Sequence, residues 1–182
     1  MLKLKAPFDR EILKRLRIGD TVEISGIIYT ARDAAHERMV KEYKEGKGFP
    51  FDIYGGAIYY AGPCPAKPGE VIGSCGPTTS GRMDSFTPLL LDNGLFAMIG
   101  KGARSEAVKE AVIRNNAVYF GVTGGAGALI SECIKSAEVV AYEDLGTEAI
   151  RKLEVVDLPA VVLMDSLGND LYKEGRKAFL EL

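Results

Sequence analysis

The sequence predicts one α/β domain that spans residues 1–182 and is built around a mixed sheet. From residue 94 onward, short apolar segments alternate with segments of helical spacing, which is the pattern of an α/β protein. Residues 49–82 are instead broken by glycine and proline into short apolar runs, so the loops are expected in this middle third. The length of 182 residues fits a single domain.

Eight segments are predicted strands, because apolar runs or period-two alternation in them are bounded by turn residues. The first, with the sequence LKLK, alternates and is expected at an edge of the sheet. The predicted strands are residues 2–5, 21–29, 57–62, 70–76, 95–100, 117–122, 138–142 and 159–165.

The first two predicted helices begin at residues that can cap them. Asp9 is placed to cap the first helix, with Phe8 and Leu13 as a hydrophobic staple. Thr30 is predicted to cap the second helix, with Asp33 as its partner in a variant capping box. The predicted helices are residues 10–17, 31–45, 105–115, 127–136 and a short one near the C-terminus.

The composition excludes several classes of partner. Hydrophobic residues make up 47% of the chain and charged residues 26%, the ordinary range of a globular protein. The net charge of −2 gives no basic surface, so nucleic acid is not an expected partner. No apolar run approaches the ~20 residues that span a bilayer. The opening residues also lack the apolar core and cleavage site of a signal peptide, so we expect a cytoplasmic protein without membrane contact.

The three cysteines do not suggest a disulfide framework. Cys64, Cys75 and Cys133 are odd in number and widely spaced, with no C-x-x-C pair. From their spacing alone they are either free, small buried thiols or the three ligands of an iron–sulfur cluster with one open iron site.

The segment GPTTSGRMD, residues 76–84, is the first candidate site. Three hydroxyl side chains that begin at Thr78 precede a predicted helix start, where unpaired backbone amides favour an anion. Arg82 adds a planar fork that suits a carboxylate or a phosphate. The alternative is that the hydroxyls only cap the helix and that Arg82 is solvated.

Two further cations follow apolar elements. Arg32 falls in the first turn of its predicted helix, where a positive charge opposes the helix dipole, so local stability does not explain it. Lys101 lies between two glycines directly after a predicted strand, in the position where α/β folds place ligands. The alternatives are an ion pair of Arg32 with Asp33 or Glu37 and a turn role for Lys101. Together with Arg82, the two cations would suit a small dianion.

Five segments taken together resemble the beta subunit of class I, iron–sulfur-dependent fumarate hydratase, a family that includes the beta subunit of tartrate dehydratase. They run in the family's order from about residue 17 to residue 172. The segments are IYTARDAAHERM, YGGAIYYAGP, GSCGPTTSGRMD, IGKG and LGTEAIRKLEV. The resemblance implies a swivelling β/β/α fold and an active site shared with an alpha partner. It also implies that a four-iron four-sulfur cluster is carried by that partner and that this chain binds none, so its cysteines are free thiols.

The resemblance also implies roles for individual residues. Arg32 and Arg82 would bind the substrate carboxylates, and Lys101 would add a third cation. Thr78 would be the proton donor or relay, and Lys101 would stabilise its alkoxide. Asp33 and His36 match the same motif and would support the site from behind. The alternative for His36 is a surface or packing role in its helix.

The expected activity is therefore that of a hydro-lyase subunit, which hydrates fumarate reversibly to L-malate and is inactive without its alpha partner. The alternatives are the beta subunit of L-tartrate dehydratase and a non-enzymatic dicarboxylate-binding module of the same fold. Two copies of the lone chain could also pair through the face that the partner would cover. The sequence assigns no role to Glu143, Asp144 or Cys75.

Overall fold

The structure is a computed structural model that describes residues 1–122 and 127–180. The strands are β1 (Leu2–Ala6), β2 (Thr21–Thr30), β3 (Ala57–Tyr59), β4 (Ala97–Gly100), β5 (Val118–Gly121), β6 (Ile134–Ala141) and β7 (Ile150–Met164). The α-helices are α1 (Arg10–Leu13), α2 (Asp33–Lys44), α3 (Thr87–Asp92), α4 (Glu106–Asn115), α5 (Gly127–Cys133) and α6 (Leu171–Leu180). Two 3₁₀ helices span Ser80–Met83 and Glu143–Glu148.

The strands form one mixed sheet that closes on itself. Its order is β1-β2-β3-β4-β5-β7-β6, and β2 also pairs with β7, so that β2, β3, β4, β5 and β7 make a barrel-like ring. Strands β1 to β5 pair in parallel, whereas β7 is antiparallel to β2 and to β5. The predicted single α/β domain with a mixed sheet is confirmed. The swivelling type stays a prediction.

The three short parallel strands β3, β4 and β5 are buried along their whole length. Their residues alternate between two apolar clusters. On β3, for example, Ala57 and Tyr59 belong to one cluster and Ile58 to the other. Because both faces of these strands are covered, they appear in the sequence as continuous apolar runs. Within the described residues, no helix is both long and apolar enough to cross a membrane.

The start of the second helix differs from the prediction. Thr30 does not cap it but stays in β2, where it pairs with β3 and β7 and is fully buried. Its hydroxyl oxygen accepts a hydrogen bond from the backbone of Arg151 at 3.1 Å. Helix α2 therefore begins at Asp33, and Arg32 lies before the first turn with an extended backbone (φ −119°). The predicted cap at Asp9 is confirmed, since its carboxylate accepts from the Glu11 amide at 2.8 Å, although α1 ends at Leu13.

Other predicted boundaries were displaced by pairing that is distant in the chain. Residues 70–76 form no strand but a series of bends that leads to a single bridge between Ala61 and Pro77. The strand predicted at residues 159–165 corresponds only to the end of β7, which begins at Ile150. Helix α5 stops at Cys133 because the next residues pair with β7. The strand at the N-terminus lies at an edge of the sheet, as predicted.

Candidate functional site

The hydroxyl-rich segment runs beside the carboxyl ends of β3 and β4. The Thr78 amide donates to the carbonyl oxygen of Tyr60, directly after β3, at 2.7 Å. Thr79 forms a parallel bridge with Lys101, directly after β4, and the Ser80 amide donates to the Lys101 carbonyl at 2.9 Å. Since β3 and β4 are adjacent parallel strands, these bonds bring Thr78 and Lys101 to one edge of the sheet.

The segment does not enter a regular helix, which corrects the prediction of a helix-terminal anion site. Only the short 3₁₀ helix Ser80–Met83 follows, and the residue before it, Thr79, makes no side-chain capping bond. Capping by this hydroxyl, which was the alternative, is therefore not observed. The Thr78 side chain is half-buried, and that of Thr79 is exposed.

Arg32 follows β2 and reaches the same edge. Its side chain lies against Gly62, where an added Cβ atom would be 2.7 Å from the guanidinium Nη1 and 2.9 Å from Cδ. The guanidinium Nε is 3.8 Å from a carboxylate oxygen of Glu148, in the second 3₁₀ helix. The side chain of Arg32 keeps 25% of its surface exposed, and its packing against Gly62 defines its position.

Arg82 is joined to the start of α2. Its Nη2 atom lies 2.6 Å from the Asp33 carboxylate, in an ion pair whose side chains are 53% and 33% exposed. The pair that the sequence suggested between Asp33 and Arg32 is thus replaced by a pair with Arg82. The negative charge of Asp33 in the first turn also stabilises α2 through the helix dipole. Because Asp33 follows Arg32 in the chain, this ion pair brings the 3₁₀ helix Ser80–Met83 close to Arg32.

The structure therefore brings together the four residues that the sequence singled out. Arg32, Thr78 with Arg82, and Lys101 follow or adjoin the ends of β2, β3 and β4. Ligands bind at this edge in α/β sheets. Two of the three cations face a carboxylate of the same chain, whereas Lys101 is exposed and forms no ion pair within residues 1–122 and 127–180. The local charge remains positive, which suits an anion.

His36 lies behind the site in the core and not on the surface of α2. Its Nδ1 atom is 2.8 Å from the Arg32 carbonyl oxygen, and its ring meets the ring of Tyr60 edge-on at 5.5 Å. Burial lowers the pKa of His36 to about 4, so the imidazole is neutral at neutral pH. A neutral ring with a protonated Nδ1 donates to the carbonyl just before α2. The supporting role of His36 stays a prediction.

The cysteines differ in their surroundings. Cys64 is exposed, Cys133 is half-buried and Cys75 is buried, with its pKa raised to about 12 by burial. Within the described parts of the chain, no three His, Cys, Asp or Glu side chains are grouped so that they could hold a metal ion. That this chain carries no iron–sulfur cluster of its own stays a prediction.

Several residues that shape the site were not found from the sequence. Arg104, three residues after Lys101, is buried and paired with Asp84, but a single arginine after a loop gives no signal of burial. Glu148 lies in the segment LGTEAIRKLEV, but its local pattern did not indicate a contact with Arg32. Asp144 makes a bidentate pair with Arg38 on α2 at 2.7 and 2.8 Å, which holds the second 3₁₀ helix against α2.

Fold and site together define a closed-sheet α/β domain with a cationic site at the carboxyl ends of its parallel strands. The chain belongs to the family described as Fumarase C-terminus, whose model matches residues 1–175. This confirms the family that the sequence motifs indicated.

Named relatives fall into two groups. The chain is 40% identical over 170 residues to the aerobic class I fumarate hydratase of Escherichia coli (strain K12), and 41% identical over 170 residues to the anaerobic one. These matches cover 91% of this chain but 31% of each relative, so the chain spans about a third of their length. It is 36% identical over 175 residues to a putative L(+)-tartrate dehydratase subunit beta of Methanocaldococcus jannaschii, covering 93% of this chain and 90% of that protein.

Proposed function

We propose that this chain is the beta component of a class I fumarate hydratase, which hydrates fumarate reversibly to L-malate. The observation that carries the proposal is the placement of Arg32, Thr78, Arg82 and Lys101 around one edge of the sheet. A substrate with two carboxylates and a reacting double bond between them needs cations on both sides and a proton donor in the middle. The relatives named as hydratases and dehydratases support the same class of reaction.

The active site is completed by an alpha partner in this proposal. The fumarate hydratase relatives are about three times as long as the matched region, so most of such an enzyme lies outside it. The relative matched over 90% of its length is named a subunit beta, which supports a separate partner chain. The partner would carry the four-iron four-sulfur cluster, which when bound supplies a Lewis acid for the hydroxyl group. Without that partner we expect no hydratase activity.

Substrate binding follows from the two arginines. Each guanidinium presents a planar fork that can bind a carboxylate through two parallel hydrogen bonds. Arg82 is oriented before the substrate arrives by its 2.6 Å ion pair with Asp33, and Arg32 is oriented by its packing against Gly62, with Glu148 at 3.8 Å. Lys101, exposed and without an ion pair among the described residues, supplies the additional positive charge.

Proton transfer is assigned to Thr78. Hydration adds hydroxide to one alkene carbon and a proton to the other, and the half-buried Thr78 hydroxyl is the donor for the second step. A threonine hydroxyl is a weak acid in water, so its alkoxide needs a neighbouring cation. The bridge between Thr79 and Lys101 places that lysine on the adjoining segment, where its charge favours the deprotonated hydroxyl.

A second candidate is L-tartrate dehydration, favoured by the near full-length match to the Methanocaldococcus jannaschii protein. Both reactions act on a four-carbon dicarboxylate, and the same cations would serve either. Only the assay of both substrates separates them.

The test is to co-purify the chain with its alpha partner under anaerobic conditions and to assay fumarate, L-malate and L-tartrate. We expect turnover of fumarate and L-malate by the pair and none by the lone chain. Turnover of tartrate alone would replace the proposal with the second candidate. A pair that forms but converts none of the three, while the lone chain binds dicarboxylates, would indicate a non-enzymatic binding module.

A further inference from the structure

A buried arginine lies directly behind the candidate site and has no place in the proposed chemistry. Arg104 follows the loop of Lys101, and its side chain has no exposed surface. Its Nε atom donates to a carboxylate oxygen of Asp84 at 2.6 Å, and the other oxygen of Asp84 accepts from the Ser105 amide at 2.7 Å. Asp84 closes the 3₁₀ helix that carries Arg82. The ion pair therefore joins the two segments that supply the site.

The remaining contacts of this guanidinium reach helix α3 and the strands under the site. Nη2 donates to the Thr87 hydroxyl at 2.9 Å and lies 3.3 Å from the Tyr60 hydroxyl. The guanidinium also packs over the rings of Tyr60 and Tyr119, at 5.2 and 4.9 Å from their centroids. Each of these partners belongs to a different segment, so the planar group fixes several parts of the fold at once.

The network continues to the candidate site residues. The Tyr119 hydroxyl lies 2.9 Å from both the Ser80 hydroxyl and the Gly102 carbonyl oxygen. The Lys101 amide donates to the same Ser80 hydroxyl at 3.0 Å. Tyr60 in turn accepts the Thr78 amide through its carbonyl oxygen. The backbone of Thr78 is thus two contacts away from the buried guanidinium, and that of Lys101 is three contacts away.

Stability alone does not account for such an arrangement. Burying a charge carries a large desolvation penalty, and well-packed apolar side chains often stabilise a core as well as a buried ion pair does. A charged network is instead suited to holding groups in one geometry, because a planar guanidinium bonds in fixed directions. The partners of this one are the segments whose relative position decides whether Arg82 and Lys101 can face one substrate.

We propose that Arg104 and Asp84 form a positioning pair that sets the distance between the Thr78–Arg82 segment and Lys101. Neither residue touches the substrate; they act through Ser80, Tyr119 and the backbone. The catalytic part of this inference rests on the proposed function, whereas the structural part concerns the chain itself.

The structural part is tested by hydrogen exchange on the lone chain. Arg104→Lys keeps the charge but loses the planar fork, and we expect the amides of Thr78, Ser80 and Lys101 to exchange about tenfold faster while the amides of β4 keep their rates. The matched control is Arg114→Lys. Arg114 likewise pairs with an aspartate about twenty positions earlier, Asp92, here through two hydrogen bonds of 2.7 Å each, but its side chain is 47% exposed. We expect this control to leave the site amides unchanged.

The catalytic part is tested with the assembled pair. Arg104→Lys should lower kcat by roughly tenfold to a hundredfold, since displacement of reacting groups by about 1 Å costs that much. Arg114→Lys should stay within about twofold of the unmodified enzyme, because exposed pairs contribute little. If Arg104→Lys does not fold, Asp84→Asn, which keeps the shape and removes one charge, replaces it in both measurements.

Two results would overturn the proposal. One is unchanged exchange at the site amides in a folded Arg104→Lys or Asp84→Asn chain. The other is equal acceleration over the whole domain with unaltered kcat, which would show a purely structural pair. If the unmodified complex of this chain with its alpha partner has no hydratase activity, the proposed function is refuted. The exchange data would still decide whether the Arg104–Asp84 ion pair holds the two segments in place.

Discussion

Gly62 gives a steric test of the position of Arg32 that leaves every charge in place. A Cβ atom at this glycine would lie 2.7 Å from Nη1 of Arg32, 2.9 Å from its Cδ and 3.2 Å from the Thr147 carbonyl oxygen. Ordinary contacts between heavy atoms are about 3.5–4.0 Å, so Gly62→Ala requires the guanidinium to move by about 0.8 Å. The Thr147 carbonyl oxygen is itself in tight contact with the new methyl group, which limits how far that group can move.

The expected consequence is the loss of one charge-assisted contact to a substrate carboxylate. Such a contact contributes about 1.5–3 kcal/mol. That free energy corresponds to a rise in KM of roughly tenfold to a hundredfold for the assembled enzyme. The assay is steady-state hydration of fumarate, with a thermal melt of each variant to compare stability. Gly175→Ala is the control, because a Cβ atom there meets nothing within 4 Å.

A double-mutant cycle makes the test specific. If Gly62→Ala acts only through Arg32, the double variant with Arg32→Ala should be no worse than Arg32→Ala alone. Independent, additive effects of the two substitutions would refute the reasoning. So would an unchanged KM in Gly62→Ala, since the displaced guanidinium would then not be a substrate contact.

Three other predictions concern single side chains. Thr78→Val keeps the shape and removes the hydroxyl, so kcat should fall by roughly a hundredfold or more with little change in KM; a rise in KM like that of Arg82→Ala would instead make Thr78 an anion contact. Because burial lowers the pKa of His36 to about 4, the unfolded chain takes up a proton before the folded one as the pH falls below about 6.5. Because of His36, the free energy of unfolding should therefore fall by about 2 kcal/mol between pH 7 and pH 5. His36→Gln should remove this part of the pH dependence, measured by urea titrations at each pH. An identical slope in that variant would contradict the assignment. Iodoacetamide at pH 8 should label the exposed Cys64 and spare Cys75, whose pKa is raised to about 12; mass spectrometry that finds equal labelling of the native chain would contradict the burial of Cys75.

Local pattern was sufficient to locate most strands and helices but not the closure of the sheet. The residues of β4 and β5 are apolar because both faces of these strands are buried, so the strands can be recognised in the sequence as continuous apolar runs. The ring depends on pairing between β2 and β7, for example Thr21 with Val161, which are far apart in the chain. The same pairing keeps Thr30 in its strand and moves the start of α2 to Asp33. The preference of Thr30 for a helix cap is outweighed by the backbone hydrogen bonds between β2 and β7.

The candidate site was predicted residue by residue, but its internal pairing was not. Each of Arg32, Thr78 and Lys101 belongs to a motif that follows or adjoins the end of a strand, so sequence could place it at an edge of the sheet. Glu148 comes from a segment that meets Arg32 only in three dimensions, and Asp33 pairs with the distant Arg82 and not with its neighbour Arg32. Arg104 was missed because a buried arginine and a solvated one look alike in a sequence.

The central claim is that Arg32, Thr78, Arg82 and Lys101 share one small dicarboxylate. The most direct measurement is an experimental structure of the chain with its alpha partner and a bound, unreactive dicarboxylate. The account predicts carboxylate oxygens about 2.7–3.2 Å from both guanidinium groups, with the Lys101 ammonium and the Thr78 hydroxyl facing the same ligand. A ligand bound at the interface that contacts neither Arg32 nor Arg82, or a structure in which Lys101 points away from it, would contradict the claim.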